Sequence, residues 1–223
     1  MSYPNTVIRQ SINGVNLFIV GEHHNNEHSE DLCDLVLQNE QPSVVAVESC
    51  PERFDFYGGS GYQSSGGLLA AEQYVRETDA ELYLLDIIQS EASLEVQLLP
   101  ESTEHLEKEQ PEFDESHIQE DGGITSIEIM DEFLEEQKDY SEKRFDFIWN
   151  TREEYMKNTL LQKLQTVPEG ETVVVILGLS HIYKFAELLE DADTNDVSVD
   201  SEFVRERSFE LDYLDLVEER ESD

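Results

Sequence analysis

The sequence predicts an α/β fold, a mostly parallel central sheet flanked by helices and carrying an acidic, helical insertion. Two observations predict it. Four short apolar runs, at residues 15–20, 44–47, 82–85 and 173–177, have strand length and branched side chains with little polar alternation, as in strands buried on both faces. Helix-period segments lie between them, and alternation of strand and helix is the grammar of parallel βαβ units.

Each element follows from its own residues. After the first run, residues 29–39 carry Leu32, Leu35 and Val36 on one stripe, with Ser29 placed to cap the helix. Residues 67–78 carry Leu68, Ala71, Tyr74 and Val75 at helical spacing before the third run. The stretch 89–121 is acidic, contains Pro100 and Pro111 and shows no sustained period, which predicts a long flexible connection. Two helices return over 124–166. The first carries Ile127, Met130, Phe133 and Leu134, and the second carries Trp149, Tyr155, Met156, Leu160 and Leu164. Pro168-Glu169-Gly170 turns the chain into the fourth run, and residues 182–190 follow as a helix with Ile182, Phe185, Ala186 and Leu189. Beyond 197, the weak alternation of Val197, Val199 and Phe203 predicts one more strand. The whole of 1–223 reads as a single domain, long enough to bury a real core.

Composition narrows the function classes. Fourteen Lys and Arg stand against 52 Asp and Glu, a net charge of −38. Such a surface repels phosphate backbones and anionic lipid, so nucleic acid and membrane partners are not expected. The acids spread over segments that look folded, and lysine is scarce. Both features fit a surface solvated in molar salt, and predict a halophilic host, an archaeon or its virus. The N-terminal residues lack the basic and apolar regions of a signal peptide, and no apolar run approaches the ~20 residues of a membrane span. Cys33 and Cys50 cannot build a disulfide scaffold. A soluble, cytoplasmic protein is expected, with a homo-oligomer compatible.

Chemistry is found where the strands end. The four runs lead into Gly21-Glu22-His23-His24, Glu48, Asp86 and Gly178-Leu179-Ser180-His181. Parallel strands share one carboxyl rim, where ligands bind, so His24, Glu48, Asp86 and His181 converge on one crevice. Gly21 and Gly178 are expected to allow a sharp turn and close backbone approach. Histidine with carboxylate serves Mn, Co, Fe or Zn, or acid–base chemistry without a metal. Arg152 shares a helix face with Trp149, Tyr155 and Met156, whereas Glu153 lies ~100° away, so this arginine is expected to seek an acidic partner at the site.

These motifs, in this order, resemble the TraB/PrgY pheromone-shutdown family, which is similar to Tiki metalloproteases, GumN-like proteins, erythromycin esterases and ChaN haem-binding proteins. The resemblance rests on an apolar strand with Gly-x-x-His (Gly21, His24) and a strand ending in glutamate (Glu48), followed closely by Arg53. It continues with an acid after the third strand (Asp86), a helical Arg-x-x-x-Met (Arg152, Met156) and a second Gly-x-x-His (Gly178, His181). It covers roughly residues 15–88 and 145–190. It implies an erythromycin esterase/ChaN-like fold and a metal-dependent hydrolase, peptidase or esterase in type, acting on a peptide or small molecule. His24, Glu48 and His181 would be ligands or acid–base groups, and Arg152 would face a developing oxyanion. Asp86 is open to three roles: ligand, orienting partner of a histidine, or counter-charge of Arg152. Because Glu22 and His23 precede His24, either histidine can face the site. Two other functions compete: ligand binding without turnover, as the ChaN-like relatives suggest for haem, and a regulatory domain. Retention of His24, Glu48, Arg152 and His181 together argues against the last.

Overall fold

A computed structural model describes residues 3–23, 26–51, 66–87, 111–190 and 192–209 of the chain. Its centre is a six-stranded sheet of β1 (Val7–Ile12), β2 (Val15–Glu22), β3 (Val44–Val47), β4 (Glu81–Leu84), β5 (Thr172–Gly178) and β6 (Ser208–Phe209), in the order β1-β2-β5-β3-β4-β6. The inner four strands are parallel, with β5 inserted between β2 and β3. Both edge strands are antiparallel to their neighbours, so the sheet is mixed, and the expectation of a mostly parallel sheet holds only for its interior.

Apolar side chains leave these strands on both faces, which is why the runs lack polar alternation. On one face, Phe18, Val20, Val45, Val47, Leu82, Leu84, Val174 and Ile176 pack against α1 (Glu27–Glu40) and α2 (Gly66–Glu77). On the other, Leu17, Ile19, Ala46, Tyr83, Val173 and Val175 pack against α5 (Arg152–Leu164) and α6 (Ile182–Glu190). The segment leading to α5 comprises α3 (Glu128–Tyr140), the short α4 (Glu142–Asp146) and one wide π-helical turn, Phe147–Thr151. Beyond α6, Ser201–Glu206 forms the short α7.

Several local expectations need correction. Asn26, not Ser29, caps α1: its side chain accepts from the amides of His28 and Ser29. Ser29 is buried, and its hydroxyl accepts from the His23 amide at 3.1 Å. The C-terminal strand is Ser208–Phe209, while Phe203 lies in α7. Strand β1 was not anticipated. It pairs with β2 through Asn13 and Gly14, both at positive φ, as a two-residue hairpin turn requires. Of the connection expected over 89–121, residues 111–121 are described. They contain a 3-10 turn at Glu115–His117, and Ile118 bridges Ile124. Residues 89–110 lie outside the described residues.

Neither Gly21 nor Gly178 has positive φ, so neither uses the left-handed freedom of glycine, although Gly178 does stand where β5 turns into the 3-10 segment Leu179–His181. Gly21 lies within β2, where a Cβ would come 2.8 Å from Ile182 Cδ1 and Cγ2. Close packing under α6 is the reason for glycine there. Among the described residues, no helix is long and apolar enough to cross a membrane.

Candidate functional site at the carboxyl rim

The parallel register brings the ends of β5, β3 and β4 side by side, and α5 begins its first turn over them. Glu48 leaves the end of β3 with its carboxylate turned toward β5, where Oε2 accepts from the Gly178 amide at 2.7 Å. That bond satisfies a main-chain donor at the point where β5 ends and fixes one oxygen of Glu48. The other oxygen, Oε1, accepts from Arg152 Nη2 at 2.5 Å. Arg152 also spans Asp86, donating from Nε to Oδ1 at 2.7 Å and from Nη2 to Oδ2 at 2.6 Å. A planar guanidinium thus grips one carboxylate with two donors and reaches a second. Of the roles open to Asp86, its contacts make it a counter-charge of Arg152. Burial by itself would lower the Arg152 pKa, but Glu48 and Asp86 overcome that and hold it above the ordinary arginine value. This cation stays charged at every working pH.

His181 ends the 3-10 turn Leu179–His181 that follows β5. Its Nδ1 lies 3.0 Å from Glu153 Oε1, and its Nε2 lies 3.7 Å from Glu48 Oε1. Trp149 covers the ring, with centroids 4.4 Å apart. Glu153 is fully buried, and its second oxygen has no hydrogen-bond partner among the described residues. Burial pushes the Glu153 carboxyl up, while its contact with His181 opposes the rise. A carboxylate on one ring nitrogen fixes the orientation of an imidazole and leaves the other nitrogen for chemistry.

Glu153 is the residue that the sequence reading missed. The expected face runs through Trp149, Arg152, Tyr155 and Met156, with Glu153 ~100° from it. The observed stripe runs Trp149, Glu153, Met156, Leu160 and Leu164, and all five are buried. Spacings of four and three place Glu153 on this stripe, whereas a face drawn through Arg152 leaves it ~100° away. The π-turn delivers the chain into α5 with Arg152 N–H bonded to Phe147 O, a wide turn of the kind common at functional sites. Arg152 then reaches over the rim while Glu153 points beneath it, toward His181.

The first Gly-x-x-His motif is only partly visible. Glu22 is buried on the α1–α2 side, and its Oε2 accepts from the Gly67 amide at the start of α2 at 2.6 Å. His23 stacks loosely on Phe113, with centroids 5.8 Å apart, and its buried Nδ1 has no partner among the described residues. His24 and Arg53 lie outside the described residues. The structure therefore unites Glu48, Asp86, Arg152 and His181, as expected, and adds Glu153 and Trp149.

Among the described residues, no group of three or more His, Cys, Asp or Glu side chains is arranged to hold a metal ion. One member of the expected ligand set nevertheless suits one. His181 directs Nε2 toward Glu48 and is backed by a carboxylate on Nδ1, the usual support of a ligating histidine. Asp86 and Glu48 suit one less, because Arg152 engages both oxygens of Asp86 and one of Glu48, whose other oxygen accepts from the Gly178 amide. Compared with known proteins, the chain matches no family model and no curated protein.

Proposed function

We propose that this rim is a hydrolytic site for a peptide or ester bond, in which His181 moves the proton and Arg152 stabilises charge on the reacting carbonyl. The observation that carries the reading is His181 held at Nδ1 by buried Glu153, with Nε2 turned toward Glu48 beside a cation of fixed charge. In this reading, Nε2 takes a proton from water as the water oxygen attacks the carbonyl carbon. Glu153 balances the imidazolium so formed. Arg152 has spent Nε and Nη2 on Asp86 and Glu48, and its Nη1 has no partner among the described residues. The Nη1 hydrogens would meet the carbonyl oxygen as it gains charge. His181 then returns its proton to the leaving amine or alcohol as the carbon–heteroatom bond breaks.

In a metal-dependent form of the site, His181 and Glu48 would instead hold a divalent ion (Mn, Co, Fe or Zn) with His24 as the third ligand, and His181 Nε2 would then serve as ligand and not as base. Bound there, such an ion supplies a water of lowered pKa and a Lewis acid for the carbonyl. The order of the two Gly-x-x-His motifs, Glu48, Asp86 and Arg152 supports membership of the TraB/PrgY family, with an erythromycin esterase/ChaN-like fold. The net charge of −38 supports a cytoplasmic protein of a high-salt host whose substrate is a peptide or small molecule rather than nucleic acid or membrane.

The test is metal content and hydrolysis of neutral peptide and ester substrates after purification in molar salt. Turnover lost in His181→Ala and kept in an exposed-acid control such as Glu187→Gln supports the reading, and stoichiometric metal lost along with it makes His181 a ligand instead of the base. Metal that persists in His181→Ala removes His181 as a ligand, and turnover that persists removes it as the base. A Soret band after adding hemin, with no turnover, would favour haem binding instead.

A further inference from the structure

Arg207 follows α7 and is only 2% exposed. Among the described residues, no carboxylate lies within ion-pair distance of it. Its acceptors are neutral: Nη1 donates to Leu84 O at 2.9 Å and Asp86 O at 2.7 Å, and Nη2 donates to Tyr155 Oη at 2.6 Å. The guanidinium also lies over the rings of Phe203, 4.6 Å away, and Tyr155, 5.4 Å away. Burying a cation without a counter-ion is costly, and a neutral residue could pair β6 with β4 as well. The bonds go to particular places. Leu84 and Asp86 are the exit of β4, which carries the carboxylate of the rim, and Tyr155 lies three residues after Arg152 on α5. One side chain therefore ties the strand that presents Asp86 to the helix turn that presents Arg152 and Glu153.

We propose that Arg207 is a positioning residue of the rim site. Its three hydrogen bonds set the separation between β4 and the first turn of α5, so that the Arg152 guanidinium meets Asp86 and Glu48 together. This inference goes beyond the hydrolytic reading, and its test is blind to turnover. The readout is hydrogen exchange of the Arg152 Nε–H, which donates to Asp86 Oδ1, followed by NMR on the full chain. Arg207→Met should speed that exchange about tenfold, as expected for loss of an aligned, charge-assisted bond, while the Val36 and Leu37 amides in α1 keep their protection. Lys163→Met is the control. Lys163, at the far end of α5, bonds Glu81 at the start of β4 and Ser208 in β6, so its loss loosens the contact of α5 with the same two strands without touching Asp86. Fast exchange in Arg207→Met with slow exchange in Lys163→Met supports positioning. Unchanged exchange in Arg207→Met, or equal acceleration in both variants, overturns it. If Arg207→Met does not fold, Tyr155→Phe removes the third bond while keeping the ring, and should speed exchange about threefold; no change there overturns the proposal equally.

Discussion

Replacing Arg152 by methionine removes the cation of the rim and leaves its two carboxylates. In the folded chain, Glu48 keeps 12% and Asp86 5% of side-chain exposure, and each bonds the guanidinium at 2.5–2.6 Å. Breaking a buried ion pair by deleting one partner typically costs about 3–5 kcal/mol, because the remaining charge is left uncompensated. Here the Gly178 and Ile87 amides still bond Glu48 and Asp86, which places the expected loss near the lower figure, about 3 kcal/mol. For a domain of this size that corresponds to a Tm lowered by roughly 6–12 °C. The assay is urea unfolding at pH 7 for Arg152→Met, Asp86→Asn and the double variant. Because the two side chains touch, the double variant should be more stable than the sum of the single losses predicts, by about 1–2 kcal/mol. A loss below ~1 kcal/mol for Arg152→Met would put the pair in the class of exposed salt bridges, and additive losses would remove the coupling; either refutes the reasoning.

Two further predictions concern the scaffold. Glu72 on α2 is buried, and burial, opposed by Arg76, pushes its carboxyl up to about 7 from an ordinary value of 4.5. Its folded pKa is therefore the higher one, so its contribution to stability is complete below about pH 4.5 and lost as pH rises through about 7. Glu72→Gln should stabilise the chain at pH 8 by ~2 kcal/mol and change little at pH 4.5, read as Tm at the two pH values; equal shifts at both would contradict the burial argument. Gly21→Ala places a Cβ 2.8 Å from two atoms of Ile182 and should cost about 1–3 kcal/mol in urea unfolding. Ile182→Val in the same chain should recover part of that loss, and no recovery would locate the constraint elsewhere.

The parallel interior was legible because its strands are buried on both faces and announce themselves as apolar runs. The edges were not, because β1 carries the mixed pattern Val-Ile-Arg-Gln-Ser-Ile and β6 is two residues long. A signal for β1 was present in Asn13-Gly14, the residue pair that hairpin turns favour. At the rim, Glu48, Asp86 and His181 could be picked out because they follow strands, and Arg152 because it interrupts an apolar face. Glu153 was invisible for the opposite reason: among 52 acids, one glutamate at a helical position reads as surface until its burial is seen. The role of Gly21 was misread because a glycine after a strand suggests backbone freedom, whereas contact with Ile182 from a later helix is long-range packing that spacing does not encode.

The central claim is that Glu153 holds His181 by Nδ1 and leaves Nε2 as the working nitrogen on the Glu48 side. The ¹⁵N NMR shifts of the His181 ring in the full chain, in molar salt above pH 7, report which nitrogen carries the proton. The expected ring is protonated at Nδ1, with the Nε2 lone pair free or metal-bound, and Glu153→Leu should abolish this preference. A ring protonated at Nε2 and bare at Nδ1 would contradict it, because Glu153 would then be the proton donor and His181 could not serve as base or ligand on the Glu48 side.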